Sequence, residues 1–184
     1  MSGLLVKSWY EKTKTQVNYS EYTQRIYMED IRYCAPGHIF CSANKVMLAV
    51  DGSEGSARAA TVAFEVAEMT KSKLFIVHVI PTSVVKQFSM MSDANPDEVL
   101  HKYEAKGTKL LDGYKGAAED YKVEVELILE KGSPSERIIL QAKELEVDLI
   151  VIGSEGSAGE LRSGVGSSTE RVVFGSPSPV LVVK

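Results

Sequence analysis

The clearest signal for the fold lies in residues 146–184, which read EVDLIVIGSEGSAGELRSGVGSSTERVVFGSPSPVLVVK. Its segment 149–152 is an unbroken apolar run, which is typical of a parallel strand covered on both faces. A glycine-rich loop follows from Gly153, and a helix then begins at Ser167 and leads to an apolar closing strand. The stretch therefore predicts strand, loop, helix and strand, the order of an α/β unit.

The loop has glycine at positions 153, 156, 159, 164 and 166. Glycine lets backbone N–H groups approach a ligand closely, and the N-terminus of the following helix favours negative charge. Ser167 and Glu170 also fit a capping box, in which two side chains satisfy the first N–H groups of a helix without any ligand. A cap does not account for the glycines, so the complete loop predicts a phosphate site.

The spacing Gly153-x2-Gly156-x9-Gly166-Ser167 resembles the nucleotide-binding signature of the universal stress protein family. The ending PVLVVK at 179–184 is similar to that family's usual C-terminus, and the resemblance extends back to about residue 44. It implies that the ligand is ATP or another adenine nucleotide, with Mg²⁺ or Mn²⁺.

The resemblance implies contacts with the two ends of the nucleotide. Asp51 and Val79 would hold the nucleoside, and the phosphate side would comprise Ile152, Gly153, Gly156, Gly166, Ser167 and Ser168. From the residues alone, Asp51 fits three roles: an acceptor for a ribose hydroxyl, a ligand of a divalent cation, or the cap of the first helix. Glu155 places a carboxylate inside the loop, where it repels phosphate unless it binds a metal ion or points outward, and Arg162 offers a compensating positive charge.

Five strand patterns alternate with four helical patterns after residue 44, at 46–50, 74–80, 123–129, 149–152 and 180–183. Such alternation predicts an α/β fold: a doubly wound, five-stranded parallel sheet with helices on both faces. Glu124 and Glu126 give the third strand one polar face, so we expect it at an edge, and the apolar first and fourth strands at the centre. The predicted order is 3-2-1-4-5, which the resemblance also implies. Ligands of such sheets bind between strands one and four, beyond their carboxyl ends.

Two connecting features carry further expectations. Residues 82–96 are interpreted as a long loop with Met90 and Met91 near its middle, and loops of this length often act as lids or contact surfaces. Asn95 and Pro96 mark the start of the helix that follows. His78 lies within the second strand and is interpreted as a hydrogen-bonded core histidine.

Residues 1–43 are predicted to be an aromatic-rich N-terminal arm outside the nucleotide-binding domain, which covers 44–184. Its tyrosines and its tryptophan argue against a solvated tail, because disordered segments are poor in aromatic residues. Cys34, His38 and Cys41 lack a fourth metal ligand, so a turn with reduced thiols is favoured over a metal site.

Composition excludes several classes of partner. The 184-residue chain has a net charge of −4 and a pI near 5.5, which provide no basic field for nucleic acid or for an anionic membrane. No apolar run approaches the length of a membrane span, and the N-terminus has no signal-peptide pattern. We therefore expect a cytoplasmic protein.

The functional hypothesis is an ATP-binding regulatory protein of the stress response, which acts through ligand-dependent conformation or partner binding. The alternatives are a slow ATP hydrolase and an interaction dimer without nucleotide. No motif places a general base, so no catalytic residue is predicted. The closing strand at 180–183 is apolar yet expected at an edge, and the resemblance implies that it pairs across a two-fold axis in a homodimer.

Overall fold

The structure is a computed structural model that describes residues 43–156 and 165–184, together with two short strands further towards the N-terminus. The chain divides into two compact units, Met1–Cys41 and Ser42–Lys184. In the first unit, β1 (Tyr27–Met28) pairs antiparallel with β2 (Ile31–Arg32). The described residues do not include Cys34, His38 or Cys41. The predicted packing of the arm also lies outside them.

The second unit is built on five parallel strands: β3 (Lys45–Val50), β4 (Lys73–Pro81), β5 (Val125–Gly132), β6 (Leu149–Gly153) and β7 (Val180–Val183). Their spatial order is β5-β4-β3-β6-β7, and all four pairings are parallel. Counted within this unit, the order is 3-2-1-4-5, so the predicted sheet is confirmed. The uniformly apolar β3 and β6 lie side by side at the centre, and the alternating β5 lies at an edge, as its glutamates indicated.

The helices are α1 (Glu54–Thr70), α2 (Thr82–Ser92), α3 (Pro96–Ala118), α4 (Pro134–Glu144) and α5 (Ser167–Gly175), with a 3₁₀ turn at Glu119–Tyr121. Ile138 of α4 and Val172 of α5 pack with Val77 and Ile152 in one buried cluster. α1 packs on β3 and β6, and α3 packs on β4 and β5. Because successive side chains of a strand point to opposite faces, the contact of His78 with α3 places α3 on the face opposite Val77.

The predicted loop at 82–96 is wrong for most of its length, because residues 82–92 form α2. Val85 and Ser89, four residues apart, are buried on one side of this helix, and Val85 packs with Ile80 and Val99. Tertiary packing of that side stabilises a helix from residues of modest helix propensity. Met90 and Met91 are therefore exposed residues of a helix rather than the middle of a loop.

The start of α3 is confirmed in detail. The Asn95 side chain accepts a hydrogen bond of 2.9 Å from the Asp97 N–H, and Pro96 is the first helical residue. His78 is also hydrogen-bonded as expected, with 2.8 Å between its Nδ1 and the Val50 carbonyl oxygen. Since a carbonyl oxygen only accepts, Nδ1 carries the proton in this bond.

Candidate functional site: a cleft at the switch point of the sheet

A cleft of about 950 Å³ opens beyond the carboxyl ends of the central strands. It lies where the chain order reverses between β3 and β6, which is the place where doubly wound sheets bind ligands. The volume is within the range of small-molecule sites in proteins. The cleft lining includes all eight residues predicted for nucleotide contacts: Asp51, Val79, Ile152, Gly153, Gly156, Gly166, Ser167 and Ser168.

The segment after β3 forms one wall of the cleft. Asp51 accepts two hydrogen bonds on its Oδ1, 3.0 Å from the Ser53 nitrogen and 2.6 Å from the Ser53 Oγ. Ser53 in turn caps α1, because its Oγ accepts from the Ser56 N–H at 3.1 Å. The cap of the first helix is therefore Ser53, and the alternative that Asp51 itself serves as the cap is wrong. The Asp51 carboxylate instead lines the cleft with its orientation fixed by Ser53.

The N-terminus of α5 forms another part of the cleft lining. Gly166 is the N-cap residue and no side chain caps the helix, so the alternative of a capping box at Ser167 and Glu170 is wrong. The Glu170 N–H donates to the Gly166 carbonyl oxygen at 2.9 Å, which is an ordinary helical bond. The N–H groups of Ser167 and Ser168 belong to the first turn, where an α-helix offers no backbone acceptor. They lie in the wall of the cleft.

Two N–H groups of the glycine-rich segment bond to the protein and are not open to a phosphate. The Gly166 N–H donates to the Ser154 carbonyl oxygen, and the Ser154 N–H donates to the Val183 carbonyl oxygen, both at 2.7 Å. These bonds tie the start of α5 and the end of β7 to the end of β6. The donors at 166 and 154 are therefore structural, whereas the N–H groups in the first turn of α5 have no acceptor within the helix.

The glycines of the motif serve different purposes. A Cβ on Gly153 would lie 2.7 Å from the backbone carbon of Gly55, so α1 can approach β6 only because position 153 lacks a side chain. A Cβ on Gly156 would instead lie 2.9 Å from Oδ2 of Asp51, within the cleft. Gly153 is therefore required by packing, whereas Gly156 keeps space open beside a carboxylate. Gly159 and Gly164 lie outside the described residues.

The remaining cleft wall comes from residues that the sequence did not single out. They include Val84 of α2, Tyr103 and Lys106 of α3, and Pro134 of α4. No sequence signal marked Lys106, because its place over the sheet depends on how α3 packs. The predicted core histidine, His78, also lines the cleft.

The charges in the cleft are mostly negative. Among the described lining residues, Asp51, Glu155 and Glu170 carry carboxylates and Lys106 carries a positive charge. Glu155 is exposed, while Arg162, the compensating charge suggested by the sequence, lies outside the described residues. No group of three His, Cys, Asp or Glu side chains suited to a metal ion is found within the described part of the chain. In the same part of the chain, no helix is long and apolar enough to cross a membrane.

Fold and cleft together define a doubly wound α/β protein with a glycine-rich loop at its switch point. A model of the Universal stress protein family matches residues 43–184, and the chain belongs to that family. Universal stress protein YxiE of Bacillus subtilis (strain 168) is 34% identical over 146 residues, which cover 77% of this chain and 99% of that protein. The resemblance seen in the sequence is thus confirmed.

Solved structures show the same fold. The hypothetical protein MJ0577 superposes with a TM-score of 0.69 at 27% identity, covering 77% of this chain and 96% of that one. A universal stress protein in complex with cAMP gives a TM-score of 0.57 at 23% identity over 77% of this chain and 96% of that one. A family member from Arabidopsis thaliana with AMP bound gives 0.54 at 23% identity, over 77% and 91% of the two chains.

Proposed function

We propose that this protein binds ATP, together with Mg²⁺ or Mn²⁺, in the cleft between β3 and β6 and acts as a regulatory protein. The observation that carries the proposal is the uncapped N-terminus of α5, which lines the same cleft as the Asp51 carboxylate. Backbone donors at a helix N-terminus suit phosphate oxygens. The cAMP and AMP bound to two proteins of the same fold support an adenine nucleotide as the ligand class.

The lining of the cleft suggests how the nucleotide would be held. The N–H groups of Ser167 and Ser168 and the Ser167 hydroxyl would donate to the phosphates. Asp51 would accept from a ribose hydroxyl, because its carboxylate lines the cleft and is oriented by Ser53. Val79 and Ile152 belong to the apolar cluster beneath the cleft and would contact the base.

The cation is part of the proposal because the cleft carries little positive charge of its own. Lys106 is the one lysine or arginine among its described lining residues, against three carboxylates. The triphosphate adds several negative charges, and a divalent cation would neutralise them more effectively than backbone dipoles alone. We therefore expect ATP affinity to fall when the cation is removed with EDTA.

The direct test is titration calorimetry of the full chain with ATP, with and without Mg²⁺. Mass spectrometry of nucleotide released by denaturing the purified protein provides an independent readout. Saturable binding that weakens in EDTA supports the proposal. A chain that carries no nucleotide after purification and gives no heat with millimolar ATP would exclude it and leave the interaction dimer without nucleotide.

We further propose that turnover is absent or slow. The described cleft lining would hold phosphates through backbone and hydroxyl donors, and no motif places a general base beside them. The measurement is phosphate release over hours by the ATP-saturated protein. Sustained release at about 1 per second or faster, the range of a working kinase or ATPase, would contradict a binding role.

Assembly into a homodimer through β7 also remains a proposal. Every residue of Val180–Val183 is only half-buried at the sheet edge, and Phe174 of the neighbouring α5 is 84% exposed. An edge strand with nearby apolar surface favours pairing with a second copy. Light scattering should show a dimer for the full chain and also after deletion of residues 1–43. A full-length monomer that associates only after this deletion would mean that the arm covers the edge.

A further inference from the structure

A chain of hydrogen bonds leads from the cleft into the helical layer on the outside of the sheet. It begins at Asp51, whose Oδ1 accepts from Ser53, and continues through the bond between the Ser53 Oγ and the Ser56 N–H. It ends on α3, where 3.1 Å separates the Ser56 Oγ from the Tyr114 hydroxyl. Asp51 and Ser53 in the turn after β3, Ser56 in α1 and Tyr114 in α3 are thus connected by hydrogen bonds.

The protons in this chain have a definite order. The Ser56 Oγ donates its single proton to the Ser53 carbonyl oxygen at 2.9 Å, because a carbonyl oxygen only accepts. The Tyr114 hydroxyl must therefore be the donor in its bond to Ser56. Ser56 is 2% exposed, so water cannot take the place of Tyr114 as the hydrogen-bond donor to the Ser56 Oγ.

Helix α3 supports the segment 51–56 at a second point. Leu110, one turn before Tyr114, lies under Gly52, where an added Cβ would be 3.6 Å from the leucine Cδ1. Gly52 has a φ of +83°, so the chain turns sharply between Asp51 and Ser53. The position of the Asp51 carboxylate therefore depends on α3 as well as on its own turn.

The carboxylate is oriented as well as held. Both bonds from Ser53 end on Oδ1, and Oδ2 is the atom that faces Gly156 of the glycine-rich loop. A small rotation of the turn would move Oδ2 relative to the loop, and a hydrogen bond weakens steeply as its angle departs from linear. A group that fixes the turn can therefore alter ligand affinity without touching the ligand.

We propose that Tyr114 is a positioning residue for Asp51, acting through Ser56 and Ser53, and that its hydroxyl raises the affinity of the cleft for nucleotide. This inference rests on the proposed nucleotide-binding function. It differs from a packing role for Tyr114, which would affect the stability of the chain but would not depend on Asp51.

The test is a double-mutant cycle for ATP affinity, measured by calorimetry on the full chain with Mg²⁺. Tyr114→Phe removes only the hydroxyl and should raise the Kd for ATP about two- to fivefold, the size expected for loss of one hydrogen bond. In the Asp51→Ala background there is no carboxylate to position, so Tyr114→Phe should then leave the Kd unchanged.

The matched control is Tyr121→Phe. Tyr121 packs on Phe64 of α1, with 5.3 Å between ring centroids, and takes no part in the chain of bonds to Asp51. Its substitution should not change the Kd in either background. Ser56→Ala, which breaks the chain one step earlier, should reproduce the effect of Tyr114→Phe on ATP.

A second ligand covers the case in which the Asp51→Ala variant binds too weakly to measure. 2′,3′-Dideoxy-ATP lacks the hydroxyls that Asp51 would accept, so Tyr114→Phe should weaken ATP but not this analogue. An equal loss for both ligands, an equal loss in both backgrounds, or no loss in Tyr114→Phe would overturn the inference while leaving nucleotide binding intact. Absence of ATP binding to the unsubstituted chain would overturn the proposed function and this inference together.

Discussion

The two helices that begin at the cleft have contrasting N-termini. Helix α1 is closed by its own sequence, since the Ser53 Oγ accepts from the Ser56 N–H and Glu54 adds negative charge to the first turn. Helix α5 begins at Gly166 without a side-chain cap, although Ser167 and Glu170 have the spacing of a capping box. The N–H groups at the start of α1 are thus partly satisfied by a side chain of the same segment. The first turn of α5 has no such cap and lines the cleft.

This difference separates a hydrogen-bond acceptor on one side of the cleft from hydrogen-bond donors on the other. The closed N-terminus of α1 holds Asp51 in place, so that side of the cleft offers a fixed acceptor. The N-terminus of α5 offers donors, and its N-cap nitrogen is anchored to Ser154. A ligand with hydroxyl groups at one end and phosphates at the other matches both sides, as a nucleotide does.

Gly156→Val should have the largest effect, because its side chain would fill cleft space beside the Asp51 carboxylate. The first added carbon would lie 2.9 Å from the Asp51 Oδ2, closer than real Cβ contacts. We expect no measurable ATP binding by calorimetry while circular dichroism shows a folded chain. Gly113→Val on α3 is the matched control, since a Cβ there meets nothing within 4 Å. Unchanged ATP affinity in a folded Gly156→Val variant would refute the site.

Gly153→Ala should act on stability, because the added Cβ would lie 2.7 Å and 2.8 Å from backbone atoms of Gly55. Overpacking of this kind costs on the order of 1–3 kcal/mol. Urea denaturation monitored by circular dichroism measures the loss. A variant as stable as the unsubstituted chain would show that α1 and β6 separate easily. In that case packing would not require a glycine at position 153, and the contrast between Gly153 and Gly156 would be lost.

Two serine substitutions compare the helix N-termini directly. Ser167→Ala should leave stability almost unchanged, because Ser167 caps nothing, yet lower ATP affinity by about 1–2 kcal/mol for one hydrogen bond to a charged group. Ser53→Ala should lower the free energy of unfolding by about 1 kcal/mol through loss of a cap. Calorimetry and denaturation of both variants give the four values. If Ser167→Ala destabilises the chain as much as Ser53→Ala does, the contrast between the helices is wrong.

A salt bridge away from both helix N-termini should give the smallest effect. This salt bridge joins Lys131 of β5 to Glu104 of α3. The Lys131 ammonium donates a hydrogen bond to the Glu104 carboxylate and holds the pKa of that carboxyl below its ordinary value of 4.5. Because the folded-state pKa is depressed, the stabilisation is complete above the ordinary pKa and is lost as the pH falls through the lowered one. Glu104→Gln should therefore lower the Tm slightly at pH 7 and not in strong acid, with ATP affinity unchanged.

Glu65→Gln, an exposed position on α1, is the control for that measurement. It should show no comparable change with pH. A Glu104→Gln effect that persists below the lowered pKa would mean that packing, rather than the charge pair, is responsible.

Local sequence features predicted most of the fold because strand burial leaves a direct signal. The apolar runs of β3 and β6 required two covered faces, and Glu124 and Glu126 marked the edge at β5. Helix α2 was missed although Val84, Phe88 and Met91 recur at helical spacing; its buried side consists instead of Val85 and Ser89.

Sequence alone determined the family, the order of the strands and the set of eight residues that meet in the cleft. Only the tertiary structure decided which N–H groups are already bonded, which glycine is required by packing, and that Ser53 rather than Asp51 caps α1. It also brought Lys106 and Tyr114 of α3 towards the segment after β3. The reason is physical: periodicity and motif spacing report contacts within an element or between neighbours in sequence. Hydrogen-bond partners and close backbone approaches depend on distances between residues far apart in the chain.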